Sequence, residues 1–250
     1  MITECIFNVA KQNKISPKSF LDELEKLTKL FLSKPINRFV LVTSISLSRF
    51  TKFRGIHFDN NRIIFENQLS QNFDTKSRRD LLAYASKSTP AKLPEDYSFV
   101  RIFVSARSIF DASNKALENL DYIRSIWNYT INRSFSFRKT YIGKPEPINR
   151  IIIGPIHTLH YPNGELATEM WWYEPNYFGQ IKPYNPQNNE LLTIKRSEKY
   201  VRRRIYESNY SNDIRNAFIR YTKALDERDY SSSYLKLWSI LELLTNSTKG

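Results

Sequence analysis

The chain has 250 residues, 41% of them hydrophobic, which supplies the core of one large domain or two modest ones and excludes a disordered polypeptide. Its 38 Lys plus Arg against 25 Asp plus Glu give a net charge of +13, which favours a polyanionic partner through counterion release, although a solvated basic surface produces the same balance. The lone cysteine, Cys5, excludes an intrachain disulfide and a Cys-based metal cluster, and no apolar run approaches the ~18 residues that span a bilayer.

The N-terminal MITECIFNVAKQNK places Glu4 before a very short apolar stretch, without the basic-then-apolar order of a signal peptide, so a cytoplasmic protein with no membrane association is expected. Ser16 and Pro17 open a helix that runs to Ser33, with Phe20, Leu24, Leu27 and Phe31 at helical spacing and Pro35 beyond its end. RFVLVTSISLSRF reads as a strand, and FRGIHFDNNRIIFEN as a hairpin turning at Asp59, Asn60 and Asn61. A shorter helix is expected from Asp74 through SRRDLLAYASK, ending before Pro90. The strand YSFVRIFVSA then feeds a long helix in which Ile109, Ala112, Ala116, Leu120, Ile123 and Trp127 share one face, and the small alanines imply close packing on a sheet.

INRIIIGPIHTLHY, the turn PNGE and LATEMWWYEP read as a second hairpin. A connector rich in Pro, Asn and Gln follows, and after about Leu191 the pattern is helical throughout. Ser211 or Asn212 caps one helix with Ile214, Ala217, Phe218 and Tyr221 in a stripe, and YSSSYLKLWSILELLTN puts Tyr234, Leu237, Trp238, Leu241 and Leu244 on one face of the next. The expected fold is α+β: a mixed or antiparallel sheet with packed helices over residues 1–190, followed by a C-terminal helical hairpin, a partial bundle, over 191–250.

Most enzyme chemistry lacks its signature. The glycines form no phosphate loop, and no serine lies in a nucleophile elbow. His157 and His160 are three apart in a predicted strand and so point to opposite faces, which leaves no metal site and no cofactor. Asp59 with Asp74 and Lys76 has the letters of a metal-dependent nuclease, but Asp74 precedes a helix and reads as its N-cap.

The most anion-seeking segment is IKRSEKYVRRRIYESNY. There Lys195, Arg196, Lys199, Arg202, Arg203 and Arg204 form a cationic ridge interleaved with Tyr200 and Tyr206, suited to the phosphates and bases of single-stranded RNA or equally to a solvated helix face. NRSFSFRKTYIGK and SRFTKFRG alternate aromatic and basic residues as exposed strands also do. Glu242 flanks the apolar stripe of the last helix, where a partly desolvated carboxylate could support an active site or simply mark the boundary of the stripe.

The segment ALDERDYSSSYLKLWSILELLT, Ala224 to Thr245, resembles the first helices of Apea-like HEPN domains, which commonly follow a mixed α/β region. The resemblance implies a helical bundle that in active members cleaves RNA without a metal, usually as a dimer, in toxin or phage-defence settings. It places the catalytic Arg and His on a later helix, and the Arg150 to His157 spacing falls on a predicted strand and is read as coincidence. The expectation is therefore a fragment, the N-terminal region plus the opening helices of a HEPN-type RNA-associated protein, with no catalytic residue of its own and a homodimer contact in the helical region. The alternative is a complete, non-catalytic nucleic-acid-binding module that uses the basic helix.

Overall fold

The computed structural model describes residues 2–11, 16–49, 51, 53, 55–89, 94–133, 147–174 and 181–246. In chain order its elements are α1 (Ile2–Lys11), α2 (Pro17–Ser33), β1 (Asn37–Ser48), β2 (Ile56–Phe58), β3 (Asn61–Glu66), α3 (Lys76–Ser88), β4 (Tyr97–Ala106) and α4 (Ile109–Asn132). They continue with β5 (Ile156–His160), β6 (Leu166–Tyr173), α5 (Asn188–Tyr206), α6 (Ser211–Leu225) and α7 (Tyr230–Asn246). The strands form one sheet in the order β2-β3-β4-β1-β5-β6, with every strand pair antiparallel, so the fold is α+β with a C-terminal helical region. No helix among the described residues is long and apolar enough to cross a membrane.

Alternation along the central strands sorts their side chains onto two faces. Phe39, Leu41, Ile45 and Leu47 of β1, with Val100, Ile102 and Val104 of β4, face α4, whose Ala112, Ala116, Leu120 and Trp127 bring its backbone close to the sheet. Ile194 and Ile205 of α5 are buried in the same apolar cluster. On the other face Val40 and Val42 pack under Phe73 and Leu69, and Leu82 and Ala85 of α3 cover Ile156 and Trp171. The hairpin turn between β2 and β3 sits where expected, with Asp59 and Asn60 both at positive φ, 46° and 61°, the pair of left-handed residues that a two-residue turn of this twist requires.

Four expectations need correction. α1 has no counterpart in the sequence reading; its Cys5 and Val9 meet Phe20, Leu24 and Leu27 of α2, and ten residues give too short a pattern to recognise without that partner. The N-cap of α3 is Thr75, whose hydroxyl accepts from the Arg78 N–H at 3.2 Å, while Asp74 accepts from the Arg79 guanidinium. α6 starts at Ser211 after an N-cap at Tyr210. Residues 148–155 are not part of a strand: Ile148 N and Asn149 N donate to Leu225 O, and Ile152 N donates to the Ser46 hydroxyl. Gly154 passes so close to β1 that a Cβ would sit 2.1 Å from Ser44 Oγ.

Two polar networks lock these layers. Arg124, in the middle of α4 and almost fully buried, donates to Asp121 at 2.8 Å and, through both terminal nitrogens, to Asp226 at the end of α6 at 3.0 and 2.5 Å. Burial opposes its charge, and the two carboxylates more than offset that, holding its pKa above the ordinary value. Asn149 joins this node by donating to Asp226 and to Thr222 O, both at 2.7 Å. On the opposite face of the sheet, Arg78 Nε donates to Thr158 Oγ1 at 3.2 Å, Thr158 meets His160 Nε2 at 3.0 Å, and His160 Nδ1 lies 2.8 Å from Gly164 O. A carbonyl only accepts, so Nδ1 carries the proton of a neutral imidazole and Nε2 accepts from Thr158. Gly164, at φ +99° and with a Cβ position 2.0 Å from Asn72 O, admits no other residue.

Arg124→Met is expected to cost about 3–5 kcal/mol in urea unfolding, because it takes the guanidinium from both Asp226 and the buried Asp121, to which only Lys223 remains among the described residues, at 3.4 Å. A second outcome concerns pH. Burial, with the Arg78 charge nearby, pushes the His160 pKa down to about 4 from 6.5. The unfolded chain therefore binds a proton there before the folded one does. Stability is complete above about pH 6.5 and falls by roughly 3 kcal/mol as the pH drops toward 4, and His160→Gln removes that slope in unfolding midpoints measured across the window.

Candidate nucleic-acid interface

α5 begins where Glu190 folds back to accept from the Gln187 N–H at 3.0 Å, and its apolar side, Ile194, Val201 and Ile205, faces α4 and the sheet. That burial divides the six predicted cations. Arg196, Lys199, Arg203 and Arg204 are exposed, together with Tyr200 at 66% and Tyr206 at 78% of full exposure. At 3.6 residues per turn these six side chains fall within about 160° of arc, a single solvent-facing side.

Lys195 and Arg202 leave the ridge, contrary to the sequence reading. Both lie on the flank of α5 that meets the β2 region: Lys195 Nζ stands 5.3 Å from the centre of the Phe53 ring, and Arg202 lies over Phe58 at 5.8 Å. Arg202 also pairs with the buried Glu198 at 2.6 Å and donates to His57 O on β2 at 3.1 Å. It fastens the helix to the sheet edge, as Arg215 of α6 does by reaching Asp59 at 2.9 Å and Asn119 at 2.6 Å. On the exposed side Glu207 accepts from Arg203 at 2.8 Å and lies 3.8 Å from Arg204, and the Arg203 contact holds its carboxyl below the ordinary value. Exposed pairs of this kind exchange readily with another anion.

The other candidates are dispersed. Asp59 is held by Arg215 and Asp74 by Arg79, on different elements. Among the described residues no three of His, Cys, Asp and Glu gather as a metal site requires. Arg150 lies over the Tyr184 ring while His157 is buried on β5, facing the opposite side of the sheet from His160 as strand parity requires. NRSFSFRKTYIGK falls almost wholly outside the described residues.

One constellation escaped the sequence reading. His157 Nδ1 is hydrogen-bonded with Thr43 Oγ1 at 2.7 Å, while its buried Nε2 stands 3.5 Å from Glu174 without a hydrogen bond, in the carboxylate–imidazole–hydroxyl order of a hydrolase. Thr43 and His157 are each only 1% exposed, so no substrate reaches the hydroxyl, and the trio ties β1, β5 and the end of β6 together. The three residues are far apart in sequence, and strand register alone unites them.

The last helix divides its predicted stripe, turning Leu237, Leu241 and Leu244 toward α6 and leaving Tyr234 and Trp238 outside. Ser233, Leu237 and Ile240 turn toward α6, and an apolar groove of about 420 Å³ runs between α6 and α7 beside Tyr129 and Phe218. Leu241 and Leu244 line the same groove, whereas Tyr234 and Trp238 face solvent with their rings stacked at 6.5 Å. Glu242 is exposed rather than desolvated, and accepts from Trp238 Nε1 at 2.9 Å. Compared with known proteins, the chain matches no family model, no curated protein and no solved structure.

Proposed function

We propose that the protein binds single-stranded nucleic acid, RNA foremost, along the solvent side of α5, in a cytoplasmic setting. The observation that carries this reading is the joint exposure of Arg196, Lys199, Arg203 and Arg204 with Tyr200 and Tyr206 on one helix side in a chain of net charge +13. Guanidinium and ammonium groups neutralise phosphates, and tyrosine rings supply π-faces for unpaired bases, so affinity comes from charge and stacking without sequence readout. Because the helix is packed on α4 through its opposite side, the ridge is presented on a rigid support.

A second reading takes α6 and α7 as the opening helices of a HEPN-type bundle in an RNA-processing toxin or phage-defence protein. The resemblance over Ala224 to Thr245 and the solvent-facing Tyr234 and Trp238 beside the apolar groove between α6 and α7 speak for it, since an apolar surface of this kind is where further helices or a second copy would pack. All three histidines lie in the sheet-forming part of the chain, so these residues carry no helical Arg–His pair and no catalytic role is assigned to them.

Replacing Arg196, Lys199, Arg203 and Arg204 together by Gln is expected to flatten the salt dependence of RNA binding, lowering the slope of log K against log salt by about 3 for a single strand. Fluorescence anisotropy over a salt series measures it, and an unchanged slope rejects α5 as the interface. Arg202→Gln behaves differently, lowering the unfolding midpoint while leaving that slope almost intact. For the second reading, labelled RNA incubated with the protein in EDTA stays whole, and Trp238→Arg returns any dimer to the monomer mass in sedimentation; cleavage under these conditions, or a dimer that Trp238→Arg leaves intact, counts against it.

A further inference from the structure

Among the described residues, no helix covers one half of the sheet's second face. α3 covers β5 and β6, Leu69 and Phe73 cover the middle of β1, and the remainder presents the outward positions of β3 and β4. There Arg62, Ile64 and Glu66 of β3 stand directly across from Phe103, Arg101 and Phe99 of β4. Arg62 is exposed and the other five are half-buried.

The side chains on this half-face are arranged as guanidinium groups over rings. Arg49, immediately after β1, donates from Nε to Tyr97 O at 3.0 Å and lies over Phe99 at 5.2 Å. Arg62 lies over Phe103 at 5.8 Å, and Arg101 over Phe73 at 4.8 Å and Phe103 at 5.7 Å. Glu66 holds Arg101 from both carboxylate oxygens, one of them 3.0 Å from Nε. Arg38 occupies the matching parity at the entry to β1 and is exposed. Four arginines thus face one carboxylate, and no carboxylate of the described residues pairs with Arg38, Arg49 or Arg62.

We infer that this half-face is a second surface for single-stranded nucleic acid, on which unpaired bases stack against Phe99, Phe103 and the guanidinium planes lying over them, while Arg38, Arg49 and Arg62 neutralise phosphates. Phe99 and Phe103 are four residues apart along one strand, about 13 Å, with Arg101 between them, so two stacking positions lie on one line. Stacking on aromatic and arginine planes is how splayed bases are held, and the surplus of cations selects a polyanion that carries π-faces over one that carries charge alone. This inference stands apart from the reading of α5, because that helix packs against the other face of the sheet.

The test is photocrosslinking of a 4-thiouridine RNA of about twelve nucleotides, and of the matching thiothymidine DNA, to the intact protein, with the linked tryptic peptides mapped by mass spectrometry. Crosslinks are expected in the peptides that carry Phe99 and Phe103, and the two oligonucleotides show whether RNA or DNA is preferred. Phe103→Leu, which keeps an apolar contact to Phe73, is expected to weaken binding about five- to a hundredfold. Arg62→Gln, an exposed position with no role in the core, lowers the salt slope by about 0.7. Crosslinks confined to α5, equal affinity for a blunt duplex, competition by polyglutamate as strong as by RNA, or unchanged binding of both variants would each overturn the inference. Crosslinks on β4 with none on α5 leave it standing and remove the reading of α5 instead.

Discussion

The rest of the molecule depends on a guanidinium group taken out of water halfway along α4. An isolated charge in that position is untenable, so Arg124 must be met by carboxylates, and one of the two comes from outside its own helix. Asp226 is the residue after the last turn of α6, so the ion pair fixes where α6 ends against α4. Asn149 binds the same carboxylate, which brings in the irregular segment that crosses the end of β1. Replacing such a cluster by apolar groups of equal volume often stabilises a protein, so its contribution is better described as positional than as energetic: only one docking of α6 satisfies it.

From that fixed helix the surfaces follow. α6 carries Arg215 to Asp59 at the β2–β3 turn, and Arg202 of α5 reaches the backbone of β2, so the two helices clamp the hairpin between them. The inward cations of the helical layer are spent on this clamping, over Phe58 and Phe53, and the outward ones remain on the ridge of α5. The covered face of the sheet therefore acquires its basic surface on the helices laid over it, whereas the half-open face displays arginines directly on its strands. Net charge alone could not separate these cases, because a structural arginine and a surface arginine count equally in it.

What was legible in the sequence follows the range of the signal. YSFVRIFVSA declared itself a strand, and the alanines at 112 and 116 announced close packing of α4, because both patterns are local and repeat. Asp59 and Asn60 marked their turn because few residues tolerate positive φ. α1 was invisible because its two buried side chains make sense only against α2, and the residues before Gly154 looked like a strand because Ile151, Ile152 and Ile153 are β-branched and apolar, although their backbone meets β1 only in a single bridge at Ile153 and turns to the end of α6 at Ile148 and Asn149. The stripe of α7 was legible in part: Leu237, Leu241 and Leu244 do face α6, but Leu237 and Trp238 are equally apolar, and only the position of α6 decides which of them turns inward. For the ridge of α5, composition located the helix correctly, but the assignment of Arg202 required knowledge of where β2 lies.

The two basic surfaces differ in kind. A cation on an exposed helix side loses most of its rotamer freedom when it grips a phosphate, and that cost is charged against every contact it makes. The arginines of the half-open sheet face have given up much of that freedom already. Arg49 is held by a carbonyl oxygen and a ring, and Arg101 by a carboxylate and two rings, on strands that cannot shift without breaking the register of β3, β4 and β1. Guanidinium groups 4.8 to 5.8 Å from the ring centres also flank the phenylalanines, which keeps an open sheet face from becoming an adhesive apolar patch. A planar base could then join these groups at little further ordering cost, whereas a flexible acidic chain has no plane to offer; the proposed preference of this face for unpaired bases rests on that rigidity, and the binding proposed for α5 rests on mobile cations beside exposed Tyr200 and Tyr206.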